Sequence, residues 1–407
     1  MFLYIDPGTG SMLFSIMIGL AASLFFLGKA ALLKLKIFFS GKKNSAELDA
    51  SYKPYVIYSE GNQYTNVFLP VVEEFEKRKM PLAYYTSAED DEILRRKWEY
   101  VSPVFIGKGN AAFAKLNLLS AGVVLMTTPG LDVYQLKRSR RVKHYAHVLH
   151  AASDATMYRL FGIDFFDSVL LSGEYQKKDI RTLEKNRGIK EKTLHVVGST
   201  YLDVLAKKIK TIPEEQNHPF TVLVSPSWGK SALLSKYGER LLDPLAKTSW
   251  RIIVRPHPQS KKSESQMLET LQTRYANSRN IEWDFERDNI YAMKKADVMI
   301  SDFSGIIFDF MFLCDKPVLY ANAELDMKVY DAYWLSSHGK NIWQFETLEK
   351  AGIKIADTNF ENIASVIEKA RDNENLQNAR TKAKAEAWMF QGSAGKNIAD
   401  FMTACIS

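Results

Sequence analysis

The chain has 407 residues, 46% hydrophobic, 12% aromatic and 25% charged, with a formal net charge of +7. That length predicts two domains with an appendage rather than one core, and the composition excludes fibrous and wholly disordered classes. The basicity is mild, so it suits an anionic substrate or a membrane surface and does not argue for nucleic acid.

No residue from Pro7 to Gly28 is charged, and the run is apolar from Met12, past Lys29, to Leu33. Its length predicts a single membrane-spanning helix, or a deep anchor. Asp6 and the lack of an early Lys or Arg do not fit a cleaved signal peptide. Lys29, Lys34, Lys36, Lys42 and Lys43 follow, which places the globular part on the cytoplasmic side, against an anionic leaflet. The two cysteines, Cys314 and Cys405, have no metal spacing and suggest a reducing compartment. Cys314 reads as a core residue.

A polar linker precedes an α/β rhythm. Strands are predicted over 55–58, 82–86, 104–106, 123–127, 145–150, 168–172 and 194–197, with helices over 62–79, 110–119 and 176–186. Pro213 to Pro219 interrupts the pattern and reads as a boundary. Strands then follow over 221–225, 251–255, 281–283, 298–301 and 317–321, with helices over 238–247, 263–275 and 305–313. The end is mostly helical. The predicted division is 1–40, anchor and basic flank; 41–53, linker; 54–212, a Rossmann-like acceptor domain; 213–395, a Rossmann-like donor domain; and 396–407, a terminal helix. Alternating strands and helices predict parallel sheets covered on both faces. A ligand would sit between the halves, at the carboxyl ends of the strands.

The stretch from Ala296 to Phe310 reads as a buried strand, a polar turn and an apolar helix. Ser304 is placed as the helix N-cap, and Gly305 leaves room at the first turn. Unpaired N–H groups and the helix dipole make such a corner a phosphate site. Arg255-Pro256-His257-Pro258 follows a strand directly, and its prolines hold a forked cation and an imidazole at the strand end. Ser225-Pro226-Ser227-Trp228-Gly229-Lys230 ends another strand with hydroxyls, an aromatic face and a cation. His147 and His150, three apart in a strand, would point to opposite faces, which makes His150 the candidate base. The basic run Lys137 to Lys143 could hold a polyanionic acceptor or lipid headgroups. No nucleophile elbow, Walker loop, dinucleotide fingerprint or zinc spacing occurs, so neither cofactor nor metal is expected.

In this order, a strand-end His, a Pro-Ser-aromatic loop, Arg-x-His-Pro and an Asp-aromatic-Ser-x-x-x-x-Asp helix start, the chain resembles the CDP-glycerol glycerophosphotransferases, the teichoic acid polymerase family. The resemblance implies a GT-B architecture, with two facing Rossmann-like domains, and membrane association on the cytoplasmic side. It implies transfer of glycerol phosphate from CDP-glycerol, or a related CDP-polyol, to a polymer or lipid-linked acceptor, with release of CMP. Through it, His150 is the catalytic base and His257 stabilises phosphoryl charge. Asp302, Ser304, Gly305 and Asp309 fall in the nucleotide-binding motif, and Arg255 heads the Arg-x-His-Pro element. Three positions depart from the pattern. Ala151 stands for a Gly after the first His, Lys230 for a loop Arg in the element that includes Ser227, and Gly305 for a second Ser. A nucleotide-sugar glycosyltransferase and a non-catalytic nucleotide- or polyanion-binding membrane protein remain as alternatives.

Overall fold

A computed structural model describes Gly28 and residues 52–286, 288–321 and 325–406. The chain has two units, Met1–Tyr52 and Lys53–Ser407, and every element named here belongs to the second. The segment expected to span a membrane lies outside the described residues, Gly28 excepted. Among the described residues no helix is long and apolar enough to cross a membrane.

The first half contains β1 (Lys53–Ser59), α1 (Thr65–Lys77), β2 (Leu82–Thr86), α2 (Glu92–Arg95), β3 (Val101–Phe105), α3 (Asn110–Leu116), β4 (Ser120–Met126), β5 (Arg141–Val148), β6 (Ser168–Leu171), α4 (Gln176–Arg187) and β7 (Thr193–Val196). The helix α5 (Thr200–Thr211) leads to the second half. There β8 (Thr221–Val224), α6 (Leu233–Ala246), β9 (Arg251–Val254), α7 (Ser260–Ser263), α8 (Ser265–Arg274), β10 (Ile281–Trp283), α9 (Ile290–Lys295), β11 (Val298–Ser301), α10 (Ile306–Cys314) and β12 (Val318–Ala321) follow. The chain ends with α11 (Trp343–Ala351), β13 (Ile353–Ile355), α12 (Ile363–Arg371), α13 (Glu374–Ala387) and α14 (Ala394–Ala404).

Two parallel sheets result, with strand orders β3-β2-β1-β4-β5-β6-β7 and β10-β9-β8-β11-β12-β13. Their central strands are buried on both faces, as continuous runs such as Val222-Leu223-Val224 and Val298-Met299-Ile300 require. Successive residues then serve different cores: Val222 and Val224 pack with α6, and Leu223 packs with α10. In each sheet the order reverses beside the first strand, between β1 and β4 and between β8 and β11. Such switch points open crevices at the carboxyl ends.

Contacts distant in sequence hold the halves. Arg187 bridges Asp164 and Asp331 at 2.6 Å each, with all three side chains almost wholly buried. Asp331 also accepts the Phe161 N–H at 2.7 Å and the Gly162 N–H at 3.1 Å. The terminal helix α14 packs on α1, and its Ile398, Ala399 and Met402 join the first sheet's core. The path to it needs glycine. A Cβ on Gly173 would lie 1.9 Å from the Glu386 carbonyl oxygen, and one on Gly198 (φ +93°) 2.5 Å from that of Met389. Asp203 on α5 holds the same path: its carboxylate accepts Trp388 Nε1–H at 2.8 Å and the N–H groups of Gly392 at 2.7 Å and Ala394 at 3.2 Å. Asp203→Ala strands these donors, at about 1–3 kcal/mol for each buried group left unsatisfied. Thermal unfolding should shift down by several degrees; an unchanged midpoint would refute the clamp.

Candidate functional site

The carboxyl ends of both sheets line one cleft of about 690 Å³. From the first half it takes Asn62 and Gln63 after β1, and Asp90, Glu92 and Arg95 after β2. From α5 it takes Tyr201, Leu205 and Lys208. From the second half come Ser225, Arg255, His257, Ser304, Asp309 and the 288–290 turn. Ser225 and Arg255 are placed by the sheet itself, since the ladder continues past β8 and β9. The Ser225 N–H bonds the Ile300 carbonyl at 3.0 Å, and the Arg255 N–H bonds that of Val224 at 2.8 Å.

His257 has a defined polarity. Its Nδ1 accepts the Gln259 backbone N–H at 3.1 Å. A backbone N–H only donates, so the neutral ring is assigned its proton on Nε2. Burial lowers its pKa, against a weaker opposing pull from Glu264 and Asp302. The ring is therefore a neutral donor, suited to a phosphate oxygen and unsuited at Nδ1 to act as a base.

Arg255 is more constrained than its forked group suggests. Its Nη1 pairs with Asp284 at 2.6 Å and its Nη2 donates to the Glu286 carbonyl at 2.7 Å. It lines the cleft with a fixed plane rather than a free fork.

Asp302 departs from the expectation of a ligand-binding carboxylate. It is buried and accepts the N–H groups of Ser227 at 3.0 Å, Leu233 at 2.8 Å and Ser304 at 3.1 Å. It clamps the loops after β8 and β11 together and does not line the cleft. Ser304 does line the cleft, but it is not the N-cap. The cap position of α10 is Gly305, with no side-chain cap hydrogen bond, and the Ser304 N–H is already held by Asp302. The start of α10 is still open: no intrachain partner bonds the Gly305 or Ile306 N–H among the described residues. Gly305 has φ −60°, and a Cβ there would meet nothing within 4 Å, so the backbone does not demand glycine.

Ser227 is buried behind Asp302, while Trp228 is exposed with its ring 6.3 Å from that of His257. Lys230 is exposed and does not line the cleft, so the geometry does not bring it to the place of a loop arginine.

His150 lies beyond the end of β5, which stops at Val148. Strand alternation therefore does not apply, and His147 and His150 converge on one hydroxyl. His147 Nε2 lies 3.0 Å and His150 Nδ1 3.2 Å from the Tyr158 hydroxyl, and His150 Nδ1 is also 3.2 Å from Thr127 Oγ1. Burial pushes His150 down to about 4. Nε2 can take up a proton only in the tautomer in which Nδ1–H donates to the Tyr158 or Thr127 oxygen; where those hydroxyls donate to Nδ1, Nε2 carries the proton. The ring does not line the cleft but packs 5.3 Å from Tyr64, between the cleft residues Gln63 and Thr65.

Asp309 is buried, accepts the Tyr201 hydroxyl at 3.1 Å and lines the cleft. Burial raises its pKa to about 7, which limits fixed negative charge where an anion would bind.

Tyr201, Lys208, Asn62 and Arg95 were not singled out from sequence. The Ser199 cap, with Leu202, Leu205 and Ile209 at helical spacing, is a legible signal for α5 and hence for Tyr201. Asn62 and Arg95 carry no local motif; only the topology brings them in. Arg95 is exposed and has no ion pair or hydrogen bond among the described residues, whereas Lys208 pairs with Asp288.

The unfolded Asp309 ionises in the ordinary carboxylate range, the folded one near 7. The unfolded state thus loses its proton first, and rising pH costs stability across that interval. In Asp309→Asn the fall in thermal midpoint between pH 5 and 7.5 should be smaller than in wild type. Equal pH slopes would show that the buried carboxyl is not titrating.

Among solved structures, that of the wall teichoic acid polymerase TagF matches at 14% identity with a TM-score of 0.55, over 86% of this chain and 88% of that one. The Methanocaldococcus jannaschii UDP-GlcNAc 2-epimerase matches at 14% identity and TM-score 0.56, over 87% and 99%. Anabaena Alr3699/HepE matches at 13% and 0.52, over 86% and 100%. At these identities the likeness is one of fold, the GT-B-like pairing of two parallel sheets. No curated protein matches the chain in sequence. The model of the CDP-Glycerol:Poly(glycerophosphate) glycerophosphotransferase family matches residues 154–391, more than half of the chain and every cleft residue of α5 and the second sheet, and the protein belongs to that family of enzymes.

Proposed function

We propose that this enzyme moves glycerol phosphate, or a related polyol phosphate, from a CDP-activated donor to a hydroxyl of a polyanionic or lipid-linked acceptor, releasing CMP. The observation that carries the reading is the family match, which spans His257, Ser304 and Asp309 on one wall of the cleft. TagF, similar in fold, is described from crystals of a variant soaked with CDPG. The donor pyrophosphate would lie on the open start of α10, with His257 Nε2–H on a non-bridging oxygen. His150 would receive the acceptor proton at Nε2 as the hydroxyl attacks phosphorus in line with the departing CMP. Burial keeps the ring neutral but also weakens it as a base, and acceptance at Nε2 requires Nδ1–H to donate to Tyr158 or Thr127. His150 does not line the cleft but packs against Tyr64, whose sequence neighbours Gln63 and Thr65 do, so the acceptor hydroxyl must reach past the cleft lining to meet it.

The acceptor wall lies outside the family-matched segment. There Arg95 is placed to meet a phosphate of the acceptor. The apolar run 12–33 and its lysine flank support a single-pass anchor with the catalytic part on the cytoplasmic face of the cell membrane, in cell-surface polymer synthesis. No nucleic-acid partner is part of this reading.

Incubating the full chain with CDP-glycerol and a glycerol phosphate oligomer should release CMP. No CMP from any CDP-polyol would end the proposal. His257→Ala should lower kcat by about 10²–10³ for a lost charge-stabilising donor, and His150→Ala by about 10²–10⁴ for a lost base. Full turnover in either variant removes that residue from the mechanism. Arg95→Ala should raise KM for the oligomer and leave KM for CDP-glycerol unchanged; the reverse pattern would place Arg95 on the donor.

A further inference from the structure

A second surface lies at the opposite edge of the first sheet. The cleft opens at the carboxyl ends of the strands, but the segments that carry the densest basic run meet at the amino ends. Ser139 Oγ donates to the Leu119 carbonyl at 2.6 Å, Arg141 donates to that of Leu118, and Asn117 bonds Gln135 and Lys137 at 3.0 and 2.8 Å. These bonds fuse the end of α3 and the loop before β5 into one surface. Residues 110–119 and 131–143 hold six basic side chains against one acidic residue, Asp132. Arg138 and Arg141 serve the fold, through Asp167 and Leu118. Lys115, Arg140 and Lys143 are exposed, and none has an ion pair among the described residues.

Large apolar side chains stand among these cations. Tyr134 is 67% exposed and Leu118 52%. Between Val104 and α3 runs a mostly apolar groove of about 490 Å³, with Lys53 and Lys115 on its lining. Lys53 opens β1, and the uncharged run 7–28 and its five lysines precede it in sequence. Cations around exposed apolar and aromatic groups match an anionic lipid surface, whose headgroups take the charge and whose acyl boundary takes the rings and aliphatic tips.

We propose that this amino-edge surface of the first sheet, centred on Lys115, Leu118, Tyr134, Arg140 and Lys143, docks on an anionic lipid bilayer. The length of β1, seven residues or about 20 Å, separates it from the cleft, so it does not serve the acceptor group at the reacting end. It is therefore independent of the transferase reading.

The test is amide hydrogen exchange on the full chain bound to phosphatidylglycerol–phosphatidylcholine vesicles and to pure phosphatidylcholine vesicles. Residues 110–119 and 131–143 should exchange several-fold more slowly on the anionic vesicles only, and α8 (Ser265–Arg274) should not change. K115E/R140E/K143E should abolish that protection, and the milder K115Q/R140Q/K143Q should weaken it if the reversal fails to fold. CMP release is not read, so failure here leaves the catalytic proposal standing. Unprotected segments in a vesicle-bound chain overturn the proposal. So does equal protection on neutral vesicles, or protection by soluble polyphosphate without lipid, which would assign the patch to a polyanion.

Discussion

The cleft depends on one buried carboxylate. Asp302 gathers three backbone N–H groups, from Ser227, Leu233 and Ser304, and so joins the loop after β8 to the loop after β11. Those strands are neighbours at the switch point of the second sheet, where their loops would otherwise diverge. An ionised carboxylate offers only acceptors, and here donors surround it, which offsets much of its desolvation; burial still raises its pKa. Because Asp302 takes the Ser304 N–H, the cap position falls on Gly305, and the next N–H groups stay open toward the cleft. The open start of α10 is thus a by-product of a clamp, and Asp302 itself does not line the cleft.

The two histidines are both neutralised by burial but held differently. His257 receives a backbone N–H on one nitrogen and so presents a donor on the other. His150 meets two hydroxyls at Nδ1, and its tautomer decides whether Nε2 is the donor or the acceptor. Both have lowered pKa values because both lose water. Both rings are therefore neutral at ordinary pH, and the fixed cations on the cleft lining are Arg95, Lys208 and Arg255. Asp309 shifts with the opposite sign, since burial raises its carboxyl to about 7 and so reduces its negative charge near neutral pH.

The halves are held by contacts of the same kind. Asp203 and Asp331 each accept several N–H donors from a segment far away in sequence, and Arg187 adds a buried bridge. Breaking one partner of such a set leaves the others buried and unpaired, which is why these positions tolerate little change. Their effect on function is indirect: they place the wall with Arg95 opposite the wall with His257.

The sequence by itself determined the α/β class, the parallel sheets and the strand ends at Ser225, Arg255 and Ser301. Runs such as Val222 to Val224 have only one stable use, a strand buried on both faces, and Pro256 and Pro258 must end the one before them. Arg255, His257 and Ser304 were legible for the same reason, since each lies within three residues of the end of such a strand, whereas Asp309, inside α10, came only from the family resemblance. The helix over 200–211 was legible in principle from its cap and spacing, and with it Tyr201. Only the tertiary structure decided what the side chains do. It turned Asp302 from ligand to clamp, tied Arg255 to Asp284, left Lys230 outside the cleft and brought His150 onto the hydroxyl that His147 shares. It also put Asn62 and Arg95 opposite His257, and the basic run 137–143 at the far edge of the sheet. Local pattern specifies which face is buried. Which polar groups meet across 75 or 191 residues, as at Asp302 and Asp203, depends on the closing of the whole chain.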